Sequence, residues 1–159
     1  MDTLYPFFKW ADQTALGATI NDSTWLFPAI EGVHIVALAL LVGGVLVLNL
    51  RLMGVIMCGR SLPRLAREMG PWTVSSLVVI LITGVLLFFS EALRSFNSGP
   101  FRLKMVLLFA AIVFHYTISR RLMSREDDSL PSILNRVAAV TGIALWVGVG
   151  LAGRAIGFF

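Results

Sequence analysis

Charge is scarce in this chain. Of 159 residues, 14% are charged and 57% are hydrophobic, and the mean hydropathy is +0.85. A water-soluble domain carries roughly a quarter of its residues as charges, so a soluble fold is excluded. Cysteine is nearly absent: a single Cys58 permits neither an internal disulfide nor a cysteine-based zinc cluster. Histidine is limited to His34 and His115, and the methionines Met53, Met57, Met69, Met105 and Met123 are not spaced as a metal cluster. The start carries Asp2 and lacks a basic segment ahead of a short apolar one, so no cleavable signal peptide is expected.

What the chain does have is four long apolar runs. They define an all-α integral membrane four-helix bundle, one domain over 1–159, with spans at about 26–51, 72–92, 101–120 and 136–155. The first span opens behind a Ser23/Thr24 cap signal with Pro28 in its first turn, and is apolar from Gly32 to Leu50. Ahead of it, Phe7, Phe8, Ala11 and Ala15 share a helical face away from Lys9, Asp12 and Gln13, with Tyr5 and Trp10 suited to headgroup level. A short N-terminal interfacial helix over 4–17 is expected there. Residues 61–70 read as a separate capped surface helix ending at Gly70. The turn at 97–100 and a polar loop from Arg120 to Asp128 complete the connections.

The positive charge is distributed as a topology signal. Arg51, Arg60, Arg64, Arg67, Arg120, Arg121, Arg125 and Arg136 flank two loops, against Lys9, Arg94, Arg102, Lys104 and Arg154 on the other side. Eight against five places the two loops in the cytoplasm and both termini outside a bacterial-type inner membrane. The net charge of +4 therefore points to lipid headgroups as partner and away from nucleic acid.

Titratable groups inside apolar spans are candidate sites. His34 lies about seven residues into its span and His115 about fourteen into another of the same direction, an offset on the order of 10 Å. One histidine per leaflet is expected, ahead of two clamping a single iron. Glu31, at i−3 from His34, is placed to orient its ring or to favour the helix dipole. Lys104 shares a helical face with His115, and either reaches a cofactor carboxylate or snorkels to headgroups. Arg51, Arg94 and Arg154 stand at span ends. The plain alternative for either histidine is a hydrogen bond to a neighbouring backbone group or hydroxyl. Gly43-Gly44, Gly148, Gly150 and Gly153 allow close helix packing or room for a flat macrocycle.

His34 followed by Gly43-Gly44 and Arg51, and Phe101-Arg102-Leu103-Lys104-Met105 leading to Phe114-His115-Tyr116, resemble a superfamily of small four-span membrane proteins. It includes the HemJ-type protoporphyrinogen oxidases and the CopD membrane domain. The pattern departs at Val42, where a tryptophan is usual, and ahead of Lys104, where Trp-x-His is usual. The resemblance, over about 30–120, implies one or two haem b groups held by His34 and His115 at the iron, with Lys104, Arg154, Arg51 and Glu31 around them. The function expected is electron transfer between a quinone and an external redox partner protein. The alternatives are a HemJ-like porphyrinogen oxidase with Lys104 and Arg51 on substrate carboxylates, copper handling, or a non-catalytic anchor subunit in a complex or homo-oligomer.

Overall fold

The computed structural model describes residues 5–92, 98–123 and 133–155. The described chain is helical: α1 (Tyr5–Asp12), α2 (Ala15–Asp22), α3 (Leu26–Leu52), α4 (Leu62–Ser90), α5 (Gly99–Met123) and α6 (Ile133–Ala155). By length and composition, α3 to α6 are each able to cross a membrane, so the chain has the form of a multi-pass membrane protein.

On α3 the buried side chains Ala37, Leu41, Val45, Leu48 and Leu52 recur every three or four residues, one stripe of a 3.6-residue helix. The opposite face is also apolar: Val36 and Leu40 stand more than half exposed. A helix apolar all round has apolar surroundings on every side. At its end, Gly54 takes a left-handed φ of 76°. Its N–H donates to the Arg51 carbonyl at 2.9 Å, and Val55 N–H to that of Leu50 at 3.0 Å. This paired closure satisfies two carbonyls left over at the helix end, and the backbone conformation it requires suits glycine.

Two expectations are corrected. The segment 61–70 is no separate surface helix, because α4 runs unbroken from Leu62 through Gly70 and Pro71 to Ser90. Leu65 is buried on one side of the proline and Thr73 on the other, and packing holds both halves in line against a local breaker. The N-terminal segment forms two helices, broken at 13–14, where the Thr14 hydroxyl accepts from Gly17 N–H at 3.3 Å. These helices dock on the end of α4. The Phe8 and Phe88 rings meet edge to face at 5.4 Å, and a Cβ on Gly17 would come 2.5 Å from the Phe89 carbonyl oxygen.

The helices associate as two pairs, α3 with α4 and α5 with α6, joined across α3 and α6. α4 and α5 meet chiefly through residues 120–123. One apolar cluster gathers Leu41, Val45, Ile80, Ala111, Trp146 and Val149; a second, at the end carrying the 53–61 loop, gathers Leu52, Leu65, Leu122 and Ala139. The packing leaves α5 least covered, with Val106 67% and Phe109 72% exposed.

Candidate functional site

At one end of the bundle, His34 of α3 faces α4. Its Nδ1 lies 2.7 Å from the Thr83 hydroxyl oxygen. That hydroxyl donates its own proton to the Val79 carbonyl at 2.7 Å, with the Ile80 carbonyl at 3.3 Å. With the hydroxyl proton on the Val79 carbonyl, Thr83 accepts from His34 and the imidazole carries its proton on Nδ1. Nε2 then presents a lone pair, and it has no hydrogen-bond partner among the described residues. Glu31, exposed and one turn earlier, does not hold the ring; Thr83, which the sequence reading passed over, does. Its only signal in the sequence is a hydroxyl followed by Gly84 in a charge-free span. The ring lies against that glycine, where a Cβ would stand in ordinary contact, 3.5 Å from His34 Cε1.

Lys104 comes to the same end from α5. Its side chain lies along Gly153 of α6, with Cε and Nζ 3.6 Å from where a Cβ would stand, and its charge is within Coulombic range of His34. It is half-buried and has no carboxylate partner among the described residues. Arg154 follows that glycine and is exposed; Arg94 lies outside the described residues. All four membrane-length helices thus meet at this end, contributing His34, Thr83 with Gly84, Lys104 and Gly153.

His115 is elsewhere. It opens a five-residue π turn, His115–Ser119, in which Arg120 N–H reaches back to the His115 carbonyl. With Tyr116, whose ring meets it edge-on at 5.3 Å, it lines a cavity of about 610 Å³ shared with Pro71, Thr73 and Val74 of α4. Thr73 and Thr83 are ten residues apart on α4, so the two histidines are separated by roughly 15 Å along the bundle. Arg51 is also remote from His34, and its guanidinium is committed to the Arg60 carbonyl, with Nε at 3.0 Å and Nη2 at 2.7 Å.

The glycines differ in what they face. A Cβ on Gly44 would come 2.9 Å from Thr73 Cγ2, one on Gly142 3.0 Å from Asn49 Oδ1, and one on Gly148 3.4 Å from Leu107. Those three are packing glycines, while Gly43 and Gly150 face open space.

The fit to a haem rests on His34. An imidazole that donates Nδ1–H to a fixed oxygen and offers Nε2 is oriented as iron-ligating histidines are, and Lys104 is a cation at the same end of the bundle. Among the described residues no three histidine, cysteine, aspartate or glutamate side chains gather as a site for a bare metal ion.

No curated protein and no solved structure matches the chain. A family described as a family of unknown function, DUF6644, matches residues 7–159, and the chain belongs to that family.

Proposed function

We propose that this protein binds haem b at the His34 end of the bundle and passes electrons between a quinone and an external redox partner. In this reading it lies in a bacterial-type inner membrane with both termini outside. One observation carries the proposal: the Thr83 hydroxyl oxygen, 2.7 Å from both His34 Nδ1 and the Val79 carbonyl, holds the ring and leaves Nε2 without a partner among the described residues. A histidine serving only as a satisfied polar group in lipid would gain by placing its second nitrogen against a partner as well.

Bound to His34, a haem would supply a one-electron ferric–ferrous couple. The protein's part is positional and electrostatic. Thr83 restrains the ring and raises the basicity of Nε2 by accepting from Nδ1–H. Lys104, held on Gly153, offsets a carboxylate at the edge of a low-dielectric region, where an unpaired charge is costly. The apolar cluster of Leu41, Ile80 and Trp146 excludes water from the bundle interior. A porphyrinogen oxidase gripping one substrate with both Lys104 and Arg51 is disfavoured, because Arg51 is seventeen residues beyond His34, about 25 Å along α3.

The test is a reduced-minus-oxidised spectrum and a pyridine haemochrome assay on protein purified from haem-replete cells. A b-type spectrum that His34→Ala abolishes is expected. Purified, folded protein without Soret absorbance overturns the proposal. For topology, a reporter fused at Arg64 is expected to read as cytoplasmic, and a periplasmic signal reverses the assignment.

A further inference from the structure

The cavity at the His115 end is not explained by a haem at His34. Its walls come chiefly from α4 and α5, with Leu48 of α3, and α4 and α5 are neighbours that pack little along their length. Each wall is irregular where the cavity lies. In α4, Pro71 has no N–H to offer the Arg67 carbonyl one turn earlier. In α5, the π turn His115–Ser119 widens the helix opposite it. Turns of this kind are rare and concentrate at functional sites.

The lining has a consistent chemistry. Arg67, Arg120, His115 and Tyr116 present cations and donors, and among the described residues no carboxylate lines the space. Three other arginines at this end are engaged: Arg64 Nε meets Glu68 Oε1 at 3.1 Å, Arg60 lies 3.8 Å from Glu68 Oε2, and Arg51 holds the Arg60 carbonyl. Arg67 and Arg120 have no acidic partner among the described residues. Apart from Thr73, the rest of the wall, including Leu48, Pro63, Val74 and Met123, is apolar. Trp72, 67% exposed on the neighbouring face of α4, stands where a tryptophan at a membrane–water interface would stand.

We infer that this cavity is a site for an anionic phospholipid, whose headgroup phosphate lies between Arg67 and Arg120 within reach of His115 and Tyr116. Its glycerol and upper acyl carbons would rest on the apolar wall between α4 and α5. Guanidiniums pair with phosphate oxygens through forked N–H groups, and the volume of about 610 Å³ is that of a small-molecule pocket. A zwitterionic headgroup brings a cation of its own beside the phosphate and would offset the two arginines less.

The experiment uses the full chain in a mild non-ionic detergent, titrated with dioctanoyl phosphatidylglycerol, dioctanoyl phosphatidylcholine or inorganic phosphate, with adduct occupancy read by native mass spectrometry. Phosphatidylglycerol is expected to bind, with phosphatidylcholine about fivefold weaker or more. Arg67→Gln and Arg120→Gln should each weaken phosphatidylglycerol binding about fivefold. Arg64→Gln, the same charge change on a side chain committed to Glu68, should leave it unchanged. Arg67 is exposed and outside both apolar clusters, so its variant tests the site even if Arg120→Gln fails to fold. Equal binding of the two lipids, or an equal effect of Arg64→Gln, overturns the inference. Displacement of phosphatidylglycerol by excess inorganic phosphate makes this a soluble-phosphate site and overturns the lipid assignment.

Discussion

The two ends of this bundle each hold one histidine, and the surrounding helices treat them in opposite ways. At the His34 end all four long helices converge, glycines bring Gly84 and Gly153 close to the side chains they face, and the ring is fixed by Thr83. At the His115 end the α4 and α5 backbones both depart from regular geometry, and a cavity lies between them. The same side chain is thus restrained with one nitrogen bare in the first place, and set in the wall of an open pocket in the second. An intramembrane histidine acquires its role from which helices reach it, more than from its own depth in a span.

The largest effect should come from exchanging the histidines one at a time. His34→Ala is expected to abolish the b-type spectrum, whereas His115→Ala keeps it. Equal and complete loss in both, with helix content retained by circular dichroism, would place both rings on one haem and erase the comparison.

A second contrast sets the two threonines of α4 against each other. Thr83→Val keeps shape but removes the acceptor for His34 Nδ1–H, and haem affinity should fall about tenfold or more, as for other second partners of a ligating ring. Thr73→Val loses only its bond to the Gly70 carbonyl and should leave haem affinity unchanged. Haem titration of both apoproteins decides it, and equal values would remove Thr83 from the site.

Packing provides a smaller contrast within one helix. Gly44→Ala forces a methyl to 2.9 Å from Thr73 Cγ2 and should destabilise the bundle by about 1 kcal/mol or somewhat more. Gly43→Ala enters open space and should be neutral or slightly stabilising through helix propensity. Thermal unfolding in one detergent compares the two, and a loss at Gly43 would indicate a partner seated on that face.

The smallest effect expected is on potential. Lys104→Met removes a cation within Coulombic range of His34, so adding an electron becomes less favourable and the midpoint falls. Arg121→Met, at the His115 end, should leave it unaltered. Indistinguishable redox titrations would return Lys104 to the headgroups.

Much of the fold was legible in the sequence because length and apolar composition suffice for a membrane span. The four spans follow from their runs, though α5 begins at Gly99, inside the expected turn, with Ser98 as its cap and Pro100 in its first turn. Local signals failed at 61–71. Gly70 and Pro71 read as a stop, yet α4 continues, because Leu65 and Thr73 are buried on either side of them. Gly54 was a usable signal for the α3 end, and its role becomes plain only in the left-handed closure that it makes.

The sequence by itself determined that this chain is four apolar helices with two isolated histidines and with most of its arginines flanking two of the connections. Each of those properties is local: hydrophobicity, span length and the position of a charge are properties of consecutive residues. Only the tertiary structure decided that Thr83 holds His34, that Lys104 lies on Gly153, and that Pro71 faces the π turn across a cavity. Helices apolar on every face carry no amphipathic stripe to say which side turns inward. Their rotation and pairing are set by close packing at small residues such as Gly44 and Gly142, and a contact between two helices is a property of both.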